Sequence, residues 1–315
     1  MKKIIFMGTP DFAVPPLETL NENFEVSLVV SQKDKLRNRK KLLPTPVKQR
    51  ALELGLEVIT PDSVKSDEFF EIVKKINPDF IVVVAFGQII DKRLIDFMQG
   101  KILNIHASIL PELRGSAPIN WAIVNGLEKT GVSIMSIDVG LDTGDVLDIE
   151  ETEISDLDNA ETLYERLSKM GSKLIVKTIN DFENKYENRV KQGDKFSYAP
   201  MIKKEMGKLD FNDTSRNIFN KIRGFYNWPS TFCEYMEELS LIHMEENIKV
   251  HRAEISKENP NENVGTIFKV SDDAIFVKTM DGSIKLLEIQ FSGKKRVLVK
   301  DYLRGNSIKV GEILK

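Results

Sequence analysis

Hydrophobic and polar residues alternate along the first half of the chain with two different periods. Continuous apolar runs predict buried strands at 3–7, 25–30, 57–59, 80–85 and 102–106. Helical spacing of apolar residues predicts helices between them at 12–21, 45–55, 67–76 and 91–98. Alternating strands and helices favour the α/β class, with an N-terminal open, mostly parallel, Rossmann-like sheet. Ligands bind such sheets beyond the carboxyl ends of the strands, which predicts a site near residues 8, 85–88 and 104–108.

The pattern changes after residues 159–182, whose apolar spacing predicts one long helix. The charged, irregular segment that follows contains Pro200 and predicts a linker at 184–207. A helix at 215–223 then precedes short β-rich runs at 248–255, 264–270, 274–278 and 284–290. Because Asp281-Gly282 supplies a hairpin turn, we expect a small, five-stranded, OB-like C-terminal β-barrel. A chain of 315 residues exceeds the usual size of one core, so we expect two domains, at 1–183 and 208–315.

The composition predicts a protein without a membrane span or a disulfide. Hydrophobic residues make up 41% and charged residues 30%, and no apolar run approaches the roughly 18 residues that a membrane helix needs. The apolar stretch after the first lysines is too short for a secretory signal. One cysteine excludes an internal disulfide, and three histidines leave little for a metal site. We therefore expect a cytoplasmic protein that needs no metal and binds no membrane. We also expect a monomer.

Asn104, His106 and Asp142 form a candidate catalytic set. Period-two alternation places Asn104 and His106 on one face of a strand, and a turn after the next strand returns Asp142 towards them. An imidazole takes up an amine proton near neutral pH, an amide donates to an oxyanion, and a carboxylate orients the ring. The set fits acyl transfer without a covalent intermediate, although an Asn-x-His pair on spacing alone is more often structural.

Basic residues concentrate at 33–41, where six basic side chains accompany one acid. Such a run is usually a solvated loop, but this one follows a strand at the rim of the predicted cleft, where it would grip a phosphate-bearing substrate. A second cluster lies in the predicted barrel, so a nucleic-acid partner held at two points is suggested. The candidate contacts are Arg37, Arg39, Lys40, Lys41, Lys294 and Lys295.

Two other features carry less chemistry. The turn at 8–10 lacks the GxGxxG pattern, and the second strand is not followed by an acid, which disfavours a nicotinamide cofactor. His243 and His251 lie in the β-rich half without comparable neighbours, so we interpret them as surface or core histidines.

Several motifs extend over nearly the whole chain. They are GTPDFAVPPL at 8–17, PVK at 46–48, VVVAFGQI at 82–89, NIHASILPELRGSAPI at 104–119, DVGLDTGDV at 138–146, YAPMIKKEMGKLDF at 198–211, NWP at 227–229 and LLEIQFSGKKR at 286–296. With these motifs the chain resembles the methionyl-tRNA formyltransferase family.

The resemblance implies transfer of a formyl group from 10-formyltetrahydrofolate to the amino group of methionine on initiator Met-tRNA, in a bacterial-type cytoplasm. Asn104, His106 and Asp142 match the family's catalytic residues. By the resemblance, His106 manages the amine proton, Asn104 stabilises the oxyanion, and Asp142 holds the ring and a relay water. We expect the folate to contact Ser108, Ile109, Leu110, Pro111, Phe86, Gly87 and Gln88.

The chain departs from the family pattern in two places, and other functions stay open. The basic loop lacks the proline and glycine that the family usually has there, and Glu112 stands where a basic residue is common. One alternative is a folate-dependent formyltransferase acting on a small amine, against which stand the roughly 110 residues after the linker. Another is a tRNA-binding protein without activity, against which stands the intact catalytic set.

Overall fold

The computed structural model describes residues 1–37, 41–236 and 245–315. The strands are β1 (Lys3–Gly8), β2 (Glu25–Val30), β3 (Lys35–Arg37), β4 (Lys41–Leu43), β5 (Val58–Ile59), β6 (Phe80–Val84), β7 (Ile102–His106), β8 (Arg114–Gly115), β9 (Lys129–Ser136), β10 (Val146–Glu153), β11 (Tyr198–Ala199), β12 (Thr231–Met236), β13 (Glu245–Ser256), β14 (Ile267–Val270), β15 (Ile275–Lys278), β16 (Ser283–Phe291) and β17 (Val297–Leu298). The helices are α1 (Val14–Asn23), α2 (Pro46–Glu53), α3 (Asp67–Ile76), α4 (Lys92–Met98), α5 (Pro118–Val124), α6 (Ala160–Asn180), α7 (Phe182–Glu187), α8 (Ser215–Gly224) and α9 (Val299–Tyr302), with short 3-10 helices at Asp11–Ala13 and Lys204–Gly207.

The N-terminal sheet has seven strands in the order β10-β9-β7-β6-β1-β2-β5. The five strands from β7 to β5 run parallel, and β9 and β10 add an antiparallel edge. The prediction of an open, mostly parallel α/β sheet is therefore confirmed. Parallel order brings the carboxyl ends of β1, β6 and β7 to one edge, where the site was expected.

The central strands are buried on both faces, as parallel strands usually are. On β1, Ile5 and Met7 pack with Phe69 of α3 and Leu94 of α4, while the alternate residue Ile4 is also fully buried. The long helix α6 lies against β7 through Gly171, where any Cβ would come within 2.6 Å of Ile105 Cγ2. This close approach fixes the strand that carries the candidate catalytic residues.

The C-terminal sheet is antiparallel and follows the order β12-β13-β16-β15-β14, with β17 paired to β16. The last residues of the chain connect its two edges. Glu234 of β12 exchanges backbone hydrogen bonds with Lys315, and Ile267 of β14 donates to the Glu312 carbonyl at 2.8 Å. A sheet whose two edges are joined in this way has a barrel-like form, which agrees with the expected class of domain.

Three element predictions need correction. The structure has six strands in the C-terminal sheet, because Thr231–Met236 and Val297–Leu298 pair where the sequence predicted no strand. The predicted helix at 159–182 ends at Asn180, and a separate helix, α7, begins at Phe182. The helix predicted from residue 12 begins as an α-helix only at Val14, where Pro15 and Pro16 fit the first turn because their missing N–H groups are unpaired there anyway.

Contacts divide the chain into two compact units, and neither is a single continuous segment. The first contains Met1–Pro118, Lys129–Glu153 and Tyr164–Ala199, and the second contains Ile119–Glu128, Ile154–Leu163 and Pro200–Lys315. Within the first unit, residues 189–199 pack against the turn after β9, although 184–207 was expected to be a linker. The domain boundaries themselves stay a prediction.

Within the described residues, no helix is long and apolar enough to cross a membrane. The same residues contain no group of three or more His, Cys, Asp or Glu side chains arranged to hold a metal ion.

Candidate active site

Asn104 and His106 lie at the carboxyl end of β7, between β6 and β9. Asn104 stands opposite Val83 of β6 and Met135 of β9, and His106 stands opposite Ser133 of β9. Asn104 is half-buried, and among the described residues no partner occupies its side-chain amide. The amide is therefore available to donate a hydrogen bond to a substrate oxygen.

The ring of His106 is buried, with 6% of its surface exposed, and a backbone carbonyl fixes its orientation. Its Nε2 lies 3.0 Å from the carbonyl oxygen of Leu113. Because a carbonyl only accepts hydrogen bonds, Nε2 carries the proton in this contact. In the neutral ring the lone pair is then on Nδ1, which is the nitrogen that can take up a proton.

Asp142 lies beside this basic nitrogen without bonding to it. Its Oδ2 is 3.8 Å from His106 Nδ1, beyond hydrogen-bond range, and accepts instead from the backbone N–H of Gly115 at 2.8 Å. The hydrogen bond that orients the ring is therefore the one to the Leu113 carbonyl, whereas the sequence analysis expected Asp142 to orient it. The expected role of Asp142 in holding the ring stays a prediction. At this distance the carboxylate attracts the imidazolium that forms when Nδ1 is protonated.

The residues that position these groups were missed by the sequence analysis. Residues 189–199, which we call the strap, contact two loops of the site: the loop that follows β7 and the turn that follows β9. Ser197 Oγ accepts from the Leu113 N–H at 2.8 Å, while the side chain of Gln192 donates to the carbonyls of Asp142 and Gly144 at 2.9 and 2.7 Å. No local pattern signals these contacts, since they join residues that are distant in sequence.

The predicted folate contacts at 108–111 divide into buried and accessible side chains. Ser108 is buried, and its hydroxyl donates to the Glu112 carbonyl at 2.6 Å. Leu110 is also buried, and its N–H donates to Ser133 Oγ at 3.0 Å. Ile109 and Pro111 are half-buried. The first pair therefore shapes the loop, while the second pair can contact a ligand.

The second predicted folate segment follows β6. Phe86 packs in the core with 2% of its surface exposed, and its carbonyl accepts from Thr9 Oγ1 and from Gln32 Nε2, each at 2.9 Å. Gly87 is exposed and has φ +85°, and an added Cβ there would clash with the side-chain amide of Gln32. Gln88 lines a cavity of about 480 Å³ together with Gln32, Lys33, Pro61, Asp62, Ser63, Lys65 and Ile89.

The predicted tRNA contacts lie in both units. Arg37 of β3 and Lys41 of β4 are backbone partners in one antiparallel ladder, while Arg39 and Lys40 lie outside the described residues. Lys294 and Lys295 are exposed after β16. Their occupancy by a nucleic acid stays a prediction.

The arginine next to the barrel lysines has protein partners. Arg296 donates to Glu288 at 2.6 Å and to the Tyr226 hydroxyl at 2.8 Å, and the first bond holds the pKa of the Glu288 carboxyl below its usual range.

His251 is buried in the same domain. Burial, and to a smaller extent the charge of Arg296, lowers the pKa of its ring. His251 is therefore a core histidine, whereas His243 lies outside the described residues.

Comparison with known proteins agrees with this geometry. A family model described as "Formyl transferase" matches residues 2–179, and one described as "Formyl transferase, C-terminal domain" matches residues 201–307. The fold resembles a solved N-formyltransferase from Helicobacter canadensis, with a TM-score of 0.66, 22% identity, and coverage of 91% of this chain and 99% of that one. The class defined by fold and site is a formyltransferase.

Curated relatives narrow the class. A methionyl-tRNA formyltransferase from Finegoldia magna is 45% identical over 316 residues, covering 99% of both chains. One from Clostridioides difficile is 41% identical over 315 residues, again covering 99% of both chains. The chain therefore belongs to the methionyl-tRNA formyltransferase family.

Proposed function

We propose that this protein transfers the formyl group of 10-formyltetrahydrofolate to the amino group of methionine on initiator Met-tRNA. Full-length similarity to methionyl-tRNA formyltransferases supports the choice of acceptor. The geometry of His106 carries the chemistry: with Nε2 bonded to the Leu113 carbonyl, Nδ1 is the base, and Asp142 lies 3.8 Å from it.

The reaction follows from these positions. The amine nitrogen attacks the formyl carbon, and the carbonyl oxygen becomes an oxyanion that the Asn104 amide stabilises by donating a hydrogen bond. His106 Nδ1 takes the proton that the attacking nitrogen releases, and the carboxylate of Asp142 stabilises the resulting imidazolium. The bond from the formyl carbon to N10 of the folate then breaks, and the same proton passes to N10. The products are formylmethionyl-tRNA and tetrahydrofolate.

The two substrates would use different parts of the chain. Ile109, Pro111, Gly87 and Gln88 offer accessible groups for the folate, and Asn104 and His106 lie beside them in sequence or on the neighbouring strand. The tRNA would contact the basic segment at 33–41 and the C-terminal domain at 208–315, through Lys294 and Lys295. Both are electrostatic contacts with phosphates, which position a nucleic acid without reading its sequence.

The function is tested by following labelled formyl from 10-formyltetrahydrofolate onto charged initiator tRNA, with glycinamide ribonucleotide as a second acceptor. We expect transfer to Met-tRNA only. His106→Ala removes the base and should lower turnover by at least about 100-fold, while the protein still folds and its tRNA affinity stays largely intact. Near-normal turnover of that variant would contradict the assignment of the base. Transfer to the small acceptor alone would favour a small-amine formyltransferase, and no transfer by the wild type would favour a tRNA-binding protein.

A further inference from the structure

The turn that carries Asp142 depends on support from outside itself. Asp142 has φ +53°, a left-handed conformation that is uncommon for residues other than glycine. Gly144 in the same turn is buried, and a Cβ there would clash with the carbonyl oxygen of Ser136. Such a conformation persists only where surrounding contacts determine it.

One side chain of the strap makes those contacts. We infer that Gln192 is a positioning residue for Asp142, an inference that rests on the proposed formyl transfer. Its amide nitrogen donates to the Asp142 carbonyl at 2.9 Å and to the Gly144 carbonyl at 2.7 Å. A primary amide has two N–H groups, so both donors are used on the turn.

The oxygen atom of the Gln192 side chain fixes the orientation of its amide group. Gln192 Oε1 accepts from Arg114 Nε at 2.9 Å. A flipped amide would direct its oxygen at two carbonyls and its N–H groups at a guanidinium, so only one orientation satisfies all three contacts. Arg114 is itself fixed: it is buried, with 7% exposed, and its guanidinium lies 4.5 Å from the centre of the Phe196 ring.

These bonds form a closed circuit around the catalytic carboxylate. Arg114 is followed by Gly115, whose N–H donates to Asp142 Oδ2, and Gln192 connects Arg114 back to the Asp142 carbonyl. The loop that contains Arg114 also contains Leu113, whose carbonyl orients His106. Gln192 therefore sets the position of the Asp142 turn relative to the loop that orients the base.

Loss of the three hydrogen bonds of the Gln192 side chain should affect the chemical step more than substrate binding. Displacement of a catalytic group by about 1 Å costs up to about 100-fold in rate. The three hydrogen bonds of the Gln192 side chain go to Arg114, Asp142 and Gly144, and not to the reacting groups of His106 or Asn104. A lower kcat with unchanged KM for both substrates is the signature of such a role.

Two substitutions of similar size separate the bonds. Gln192→Met removes all three, whereas Gln192→Glu keeps an acceptor for Arg114 but places carboxylate oxygens against two carbonyls. We expect both to lower kcat about 10- to 100-fold, with KM for Met-tRNA and for the folate within about twofold of the wild type. Asp194→Asn, at an exposed neighbour in the strap, is the matched control and should leave kcat unchanged.

A double-mutant cycle tests whether Gln192 acts through Asp142. Asp142→Asn alone should lower kcat. Adding Gln192→Met should then cause little further loss of kcat, because the Gln192 side chain has no catalytic carboxylate left to position. Additive losses, a full kcat in Gln192→Glu, or a change confined to KM would overturn the inference. Failure of the proposed function is seen separately, as the absence of transfer to Met-tRNA by the wild type.

Discussion

Two residues of the active site other than glycine have a left-handed backbone conformation. Leu113 has φ +57° and Asp142 has φ +53°. For a bulky residue such as leucine this region is a genuine outlier. Both conformations serve the site directly, since one directs a carbonyl at His106 and the other presents a carboxylate beside it. Hydrogen bonds from the strap and from the Gly115 N–H stabilise these two backbone conformations.

Gly115 provides the clearest prediction at this scale. It has φ +116°, and a Cβ would come within 2.7 Å of the Ala199 carbonyl oxygen and of the Tyr198 ring. Gly115→Ala should lower the free energy of unfolding by about 2 kcal/mol and reduce kcat, because the N–H that bonds Asp142 must shift. Chemical denaturation followed by far-UV circular dichroism measures the first effect, and the formylation assay measures the second.

The chain supplies a matched control for this substitution. Gly193 in the strap has no neighbour within 4 Å of an added Cβ and does not have a positive φ of this kind. Gly193→Ala should therefore leave stability and turnover nearly unchanged. If Gly115→Ala behaved in the same way, the proposed dependence of Asp142 on the Gly115 backbone would be wrong.

At the scale of single residues, the sequence predicted which groups could do chemistry but not which groups position them. Asn104, His106 and Asp142 could be named because their residue types have specific chemistry and their motifs are specific. Leu113 and Gly115 act through backbone atoms, to which any residue type contributes. Gln192 lies 50 residues beyond Asp142, and no local periodicity connects them.

Among the elements, one carboxylate contributes two of the hydrogen bonds that connect the start of α8 to the β15–β16 hairpin. Asp281 in the hairpin turn accepts from the Ser215 N–H at 2.8 Å and from the Ser215 hydroxyl at 3.1 Å. The backbone hydrogen bond from Ser215 is the main reason that the pKa of Asp281 lies below its usual range. The turn that the sequence predicted from Asp281-Gly282 therefore also anchors the first residue of a helix.

The pH dependence of this contact follows from the direction of the shift. A carboxyl whose pKa is lower in the folded state stabilises the protein above its unfolded pKa of about 3.9, and this contribution is lost as the pH falls through that region. Asp281→Asn should cost about 1 kcal/mol at neutral pH, reduced by solvent screening of this mostly exposed group, and less below pH about 4.

Tryptophan fluorescence is suited to this measurement, because both tryptophans of the chain, Trp121 and Trp228, belong to the unit that contains the barrel. Urea titrations at several pH values give the free energy of unfolding of the wild type and the variant. Asp272→Asn, at an exposed carboxylate in another turn of the same sheet, is the control. A difference between Asp281→Asn and wild type that grew towards acid pH would contradict the assigned sign.

Helices and strands were predicted correctly where the capping residues and the apolar spacing indicated the same element. They were missed where an element forms only by pairing with a strand that is distant in sequence. The helix at 67–76 has Ser66 as its N-cap, with the hydroxyl accepting from the Phe69 N–H at 3.2 Å, and its bounds were predicted correctly. Strand β12 was missed because it forms through pairing with β13 and through bonds to the last residues of the chain. Such partners are not visible in a local window.

For the whole molecule, the net charge of −3 requires any contact with tRNA to come from local basic groups. Each phosphate that a cation neutralises releases counterions and contributes about 0.9 to the dependence of log affinity on log salt concentration. Replacing Arg39 and Lys40 together by glutamine should therefore weaken tRNA binding and reduce that slope by about 2. Filter binding at several salt concentrations measures both.

An equal loss of charge elsewhere is the control for this experiment. Lys169 and Lys173 are exposed on α6, and their joint replacement by glutamine should leave the slope nearly unchanged. If both double variants gave the wild-type slope, the basic segment at 33–41 would be a solvated surface without a role in tRNA binding.

The sequence by itself determined the α/β class, the antiparallel second domain, the three catalytic candidates and the family, because periodicity and specific motifs are local properties of the chain. Only the tertiary structure decided how the site is held. It assigned the proton of His106 to Nε2, placed Asp142 on the Gly115 N–H, and brought Gln192 of an expected linker onto the catalytic turn. These contacts depend on backbone groups and on residues far apart in the chain, whose proximity exists only after folding.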